Sequence, residues 1–258
     1  MHFAFLGTSG AVPSIERDTT SLVFVGQGQS VLVDCGGSPV QKLLHAKVDP
    51  MSLARVIITH IHPDHAYGLP SLIQNLFLLG RTAPLGVSCR EEHVEPLRRL
   101  LGLFDLLDRP AMFPIGFDAV PARESVHVAE TPSFTITGSP NAHGRMPNLA
   151  LRFDVRETGQ AVVYSSDTEP CDAVAALARG ADTLIHEATF AERGRGRFGA
   201  HSTAGDAGVT AARAGVRRLI LTHIDPEYHG EIDTMAAEAR ARFSGVVEIS
   251  QEFVPYPL

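Results

Sequence analysis

The run His60-Ile61-His62-Pro63-Asp64-His65 constrains this chain more than any other feature. It follows directly on Arg55-Val56-Ile57-Ile58-Thr59, a continuous β-branched stretch that predicts a strand buried on both faces. Side chains at the exit of such a strand sit on a rigid element. Pro63 disfavours helix at His62, so the loop is expected to stay compact, with its side chains around one point. Three imidazoles and a carboxylate crowded there are costly unless they are paired. Neutral imidazole and carboxylate are good ligands for a borderline ion such as Zn²⁺, so a metal site is expected.

Two ions need more ligands than this run contains. His143 follows Gly138-Ser139-Pro140-Asn141-Ala142, Asp167 follows the strand-like Ala161–Ser165, and His223 follows Arg218–Thr222. Each stands just past an apolar β-like segment, and this shared placement makes all three candidate ligands.

Composition bounds the rest. The chain has 258 residues, 44% of them hydrophobic, enough for one sizeable core, and a single domain over 1–258 is expected. A formal net charge of −7 disfavours nucleic acid over the surface as a whole. No apolar run approaches membrane-spanning length. The start, Met1 to Gly7, lacks a basic segment and reads as a strand. Cys35, Cys89 and Cys171 are scattered without CxxC spacing, which points to a reducing cytoplasm rather than a disulfide framework.

The pattern along the chain predicts strands at Phe3–Leu6, Ser21–Val25 and Ser30–Asp34, then a helix near Pro39–Ala46. Leu69 to Leu107 reads as helix-rich. Strands are expected at Phe134–Thr137, Ala150–Phe153, Ala161–Ser165, Asp182–Glu187 and Arg218–Thr222. Helices are expected at Cys171–Arg179, Thr203–Ala214 (closed by Gly215) and Thr234–Phe243. Two packed sheets with helices outside would satisfy this order.

These residues resemble the metallo-β-lactamase superfamily over nearly the whole chain. The match takes in Asp34, His60-x-His62-x-Asp64-His65, His143, Asp167 and His223 in the family's order. The resemblance implies a four-layer αββα sandwich, an α/β fold. It implies that His60, His62 and His143 bind one divalent ion, that Asp64, His65 and His223 bind a second, and that Asp167 bridges. Asp34 would orient the loop from behind rather than bind metal. Zinc is expected, with Mn²⁺ or Fe²⁺ as alternatives for such N/O sites.

More specific segments are similar to the tRNase Z (ribonuclease Z) group. These are Leu6-Gly7-Thr8-Ser9-Gly10-Ala11-Val12-Pro13-Ser14, Asp34-Cys35-Gly36, His186-Glu187-Ala188-Thr189, His201-Ser202-Thr203 and Leu221-Thr222-His223-Ile224. The likeness implies a phosphodiesterase, either a tRNA 3′-processing endonuclease or a small-substrate enzyme. Asp64 would accept a water proton, and His201, polarised by Glu187, would protonate the leaving oxygen. A homodimer is also implied.

The chain departs from the group in three ways. In the substrate loop, Pro13 and Arg17 match, but Ile15 stands at a lysine position and Asp18 at an asparagine position. The long arm expected between His143 and Asp167 is missing. The net charge is acidic. Other functions on the same ligand set are hydrolysis of lactones, thioesters or sulfate esters, and a non-catalytic metal-binding accessory role. The Glu187–His201 pair argues against the first, because an alkoxide leaving from a phosphodiester needs an acid.

Overall fold

The computed structural model describes every residue of the chain except Phe198. The chain opens with three antiparallel strands, β1 (His2–Gly7), β2 (Ser21–Val25) and β3 (Ser30–Val33). The β2–β3 turn closes through Gly26 N–H to the Gln29 carbonyl at 2.9 Å, and Gly28 there has φ +72°, a conformation that suits glycine. Parallel strands follow with helical crossovers. These are α1 (Pro39–His45), β4 (Leu53–Ile58), α2 (Pro63–Ala66), α3 (Leu69–Leu78), β5 (Leu85–Arg90), α4 (Glu91–Gly102) and β6 (Ile115–Val120).

The second sheet begins with an antiparallel meander of β7 (Val126–Glu130), β8 (Phe134–Pro140), β9 (Leu149–Val155) and β10 (Ala161–Tyr164). It continues in parallel through α5 (Asp172–Leu177), β11 (Thr183–Glu187), α6 (Ala204–Ala214), β12 (Arg218–Thr222), α7 (Ile232–Arg240) and β13 (Val246–Ile249). The last strand, β14 (Pro255–Pro257), returns to pair with β1. Among the described residues each sheet has seven strands, ordered β14-β1-β2-β3-β4-β5-β6 and β13-β12-β11-β10-β9-β8-β7.

The sheets face each other across an aromatic core. Phe24 stacks on Phe153 at 3.7 Å between ring centroids, and Phe3, Phe134 and Tyr256 pack around them. Helices cover both outer faces, which gives the expected αββα layering. Strand β4 shows why its sequence is continuously apolar. Val56 and Ile58 face the α1/α3/α4 layer, while Ile57 faces the second sheet.

The region Leu69–Leu107 is not uniformly helical. Strand β5 lies inside it, paired on both sides by β4 and β6. Its segment Leu85-Gly86-Val87-Ser88-Cys89-Arg90 is short and alternates small with apolar residues, so periodicity alone could not separate it from the flanking helices. Strands β6, β7, β13 and β14 also lie outside the sequence expectation. They carry polar residues or proline and lie at or next to sheet edges, where half-exposed strands lose a clear signal.

Every parallel strand delivers its C-terminal end to the same rim of the sandwich. Asp34 follows β3, His60 follows β4, Asp167 follows β10, Glu187 ends β11 and His223 follows β12. Crevices beyond strand C-termini are where α/β folds place ligands.

Candidate active site

The six-residue run folds as a strand exit and a single helical turn. His62 is extended, with ψ 149°, and Pro63 opens α2, so Asp64 and His65 ride on one rigid turn. Cys35 brackets that turn, since its N–H donates to the His65 carbonyl and its carbonyl accepts from Gly68 N–H, both at 2.7 Å. A Cβ on Gly36 would collide with the Asp64 carbonyl, so glycine is required for this approach. The Asp34-Cys35-Gly36 segment therefore acts as a clamp.

His60, His62, Asp64, His65, His143, Asp167 and His223 come together, as expected from sequence, and all but His62 are buried. Two groups form. In the first, His60 Nε2 lies 3.0 Å from His62 Nδ1, and His143 Nε2 lies 3.1 Å from the same atom. In the second, His65 Nε2 is 3.2 Å from Asp64 Oδ2 and 3.4 Å from Asp167 Oδ2, while His223 Nε2 is 3.2 Å from Asp167 Oδ2 and 3.7 Å from Asp64 Oδ2. Asp167 Oδ2 is also 3.8 Å from His60 and 3.9 Å from His143, so it stands between the groups.

This spacing fits cations. Four ligands about 2.1 Å from a central ion stand roughly 3.4 Å from one another. The buried atoms His65 Nε2, His223 Nε2 and Asp167 Oδ1 have no hydrogen-bond partner, a cost that an ion in their midst would remove. The donor set, imidazole nitrogen and carboxylate oxygen, is that of a divalent metal site.

The remaining ring nitrogens are fixed from behind. Asp34 is fully buried; it accepts from Thr59 N–H at 2.8 Å and from His65 Nδ1 at 2.9 Å, which aims His65 Nε2 inward. His143 Nδ1 donates to the Ala200 carbonyl at 2.7 Å. His223 Nδ1 donates to Thr189 Oγ1 at 2.9 Å, and that hydroxyl donates to Glu187 Oε2 at 2.9 Å. Left-handed backbone at Asp34 (φ 60°), Ser166 (53°), Ala200 (77°) and His223 (58°) lies at or next to these groups. Each such residue costs on the order of 1 kcal/mol and persists only where the surroundings enforce it.

The two groups differ electrically. Burial keeps His60 well below the ordinary imidazole range, with His65 adding to the effect; burial, then the neighbouring His143, lowers His62; burial lowers His143. Their lone pairs are therefore free. In the second group burial would raise Asp64 and Asp167, but the histidines His223 and His65 hold both well below the carboxylate range. Burial would lower His65, yet Asp167 and Asp34 raise it well above its ordinary value.

Glu187 and His201 meet beside this cluster, with His201 Nδ1 donating to Glu187 Oε1 at 2.9 Å. Glu187 is fully buried and also accepts from the N–H groups of Thr168 (2.9 Å) and Thr189 (3.0 Å). Burial lowers the His201 imidazole, but the Glu187 carboxylate overrides this and raises it to about 9. Ser202 bonds the Thr168 carbonyl at 2.7 Å and Thr203 caps α6 through a capping box, so His201 leaves a tethered helix start. Its ring lines a cleft of about 630 Å³ together with Ile61, His62, His143 and Met146.

Pro13 and Arg17 are not brought into that cleft. Pro13 is exposed, and Arg17 bonds Thr8 Oγ1 at 3.0 Å and the Ser250 carbonyl at 3.4 Å. Asp18 pairs with buried Lys42 at 2.9 Å. Between His143 and Asp167 the chain makes a short turn and the β9–β10 hairpin. Sequence reasoning assigned no role to Thr59 or Thr189. Only the last residue of the His-Glu-Ala-Thr segment signalled Thr189.

A sequence model of the beta-lactamase superfamily domain matches residues 29–224. The chain belongs to this superfamily. Within it, a ribonuclease Z of Methanosarcina mazei is 30% identical over 308 aligned residues, with 99% of each chain covered. A ribonuclease Z of Methanothermobacter thermautotrophicus is 31% identical, with 88% of each covered. The metallo-β-lactamase fold protein YhfI from Bacillus subtilis superposes with a TM-score of 0.83 at 25% identity, covering 99% of both chains. Human tRNase Z, short form, superposes at 0.82 with 22% identity over the whole of both, which shows the shared fold. The alignment of 308 positions against 258 residues means that the Methanosarcina relative carries a few dozen residues this chain lacks.

Proposed function

We propose that this chain is a phosphodiesterase acting at two divalent cations. His60 Nε2, His62 Nδ1 and His143 Nε2 would hold one ion, Asp64, His65 and His223 the other, and Asp167 Oδ2 would bridge. Zinc suits the all-imidazole trio; Mn²⁺ or Fe²⁺ suits the carboxylate-rich group as well. Bound there, such ions acidify a water and neutralise charge developing on a phosphodiester oxygen.

The chain's own residues do the rest. Asp64 would accept the water's proton. His201, one-fifth exposed on the cleft side, donates a proton to the departing oxygen and is reprotonated from solvent. Glu187 keeps it charged and fixes its ring. The observation that carries this reading is the Glu187–His201 pair beside the double ligand cluster, since an alkoxide leaving from a phosphodiester needs a proton and the thiolate leaving from a thioester does not. The test is hydrolysis of bis-p-nitrophenyl phosphate by metal-loaded protein. Inertness there, with turnover of lactones or thioesters, would overturn the reaction class.

The relatives are named ribonuclease Z, which supports RNA as a substrate. The missing arm and acidic surface favour small diesters. Cleavage of a precursor tRNA at physiological salt would decide for RNA.

A homodimer is supported by exposed apolar side chains on α1, α3 and the end of α4: Leu44, Leu78, Leu79, Leu103 and Phe104. Among the described residues, no helix is long and apolar enough to cross a membrane. Three free thiols fit a cytoplasmic setting.

A further inference from the structure

The cleft beside His201 carries cationic groups that the hydrolytic machinery does not use. Arg145 lines it, two residues after His143, and its guanidinium has no ion-pair or hydrogen-bond partner among the described residues. Across the cleft stands Glu92, the first-turn carboxylate of α4. It is held by Arg90, whose Nη2 lies 2.7 Å from Glu92 Oε1. Arg90 ends β5, the strand beside β4, and is 3% exposed. Its Nε and Nη1 are buried without a partner. A buried guanidinium with two donor atoms unmatched is costly. Glu92 covers only one end of a fork that suits an oxyanion better.

Part of the cleft's lining is apolar: Ile61, Met146 and Pro147. His93 Nε2 donates to the Pro147 carbonyl at 2.7 Å and ties α4 to the opposite lip. The volume, about 630 Å³, is that of a small-molecule site. His201 opens into this space, so the group whose oxygen it protonates must lie there. That step rests on the phosphodiesterase reading above.

We propose that the cleft is a leaving-group subsite for a nucleotide. The nucleoside body would lie on Ile61, Met146 and Pro147, and its own terminal phosphate would be bound by Arg145 and by Arg90 once Glu92 moves aside. The substrate class is then a phosphodiester whose leaving alcohol already carries a phosphate monoester.

The metal-loaded full-length protein tests this with dinucleotides that carry or lack a terminal phosphate on the leaving nucleoside. The wild type should favour the phosphorylated form about tenfold in KM, the scale of one charge-assisted contact. Arg145→Ala should abolish that preference. Glu92→Gln should enlarge it by freeing Arg90, and it spares the buried arginine a substitution that threatens folding. No preference, or one that survives Arg145→Ala, overturns the subsite. If no phosphodiester is cleaved, bis-p-nitrophenyl phosphate included, the reaction class fails and calorimetry decides the subsite alone. Thymidine 5′-phosphate binding about tenfold tighter than thymidine, with the difference lost in Arg145→Ala, supports it. Equal affinities refute it.

Discussion

The two halves of the ligand cluster come largely from one six-residue run, yet they are opposites. His60, His62 and His143 form a neutral trio on the cleft side, with His62 half-exposed. Asp64, His65, Asp167 and His223 form a buried group with two carboxylates and three unmatched polar atoms. The trio offers lone pairs at little electrostatic cost. The second group leaves buried polar atoms unmatched, a cost that an ion in their midst would remove. Burial and backing, rather than ligand spacing, make the difference: only the second group has a fully buried carboxylate, Asp34, bonded behind one of its imidazoles.

Asp167 is where the contrast is most easily broken. Asp167→Ala should remove the oxygen proposed to be shared, lower bound metal from the proposed two ions per chain and reduce turnover by at least about 10³-fold. Elemental analysis alongside kinetics checks both. Retention of two ions would show that the halves are independent. His201→Ala should keep both ions and lose about 10²–10⁴ in kcat on an alkyl diester. It should lose much less on a p-nitrophenyl ester, whose leaving group needs no proton. If the variant loses metal instead, His201 is a ligand, a geometry its position near His143 and Asp167 also permits.

Asp34→Asn sharpens the contrast. Metal affinity should fall about 10–100-fold at the buried group only, read as two separate transitions in a chelator titration. An equal fall at both sites would mean that Asp34 supports the whole loop.

The mildest test is Glu187→Gln. The His201 imidazole is raised to about 9, so the charged acid persists up to that pH and activity should fall as pH rises through it. Without the carboxylate the alkaline limb should move toward the ordinary imidazole range near 6.5. The stability that the pair contributes is fully present below about 6.5 and is lost as pH rises through 9. An unmoved limb would assign it to another group.

His62, Asp64 and His65 were legible because they share one run with His60. His60, His143, Asp167 and His223 were legible because each stands just beyond a strand end, and strand ends leave a hydrophobic signature. The αββα layering was legible for the same reason. Strand β5 was not, because six residues with a glycine among them carry too little periodicity. The roles of Thr59 and Thr189 were hidden for a different cause. Their hydroxyls act through bonds to Asp34 and His223, 25 and 34 residues away, and a lone threonine announces no such partner. Arg17 shows the converse: a residue that matches a motif by sequence bonds Thr8 and the Ser250 carbonyl in the fold.

Thr189 has one more consequence. Its hydroxyl has a single proton. With His223 Nε2 facing the cluster, His223 Nδ1 must be the donor to Thr189, so that one proton points toward Glu187. The three groups thus form a one-way wire, from an imidazole among the ligands to the carboxylate that governs His201. A change of charge at the cluster polarises the far end without any atom moving. The proton affinity of His201, the acid proposed above, would therefore respond to the charge held in the cluster.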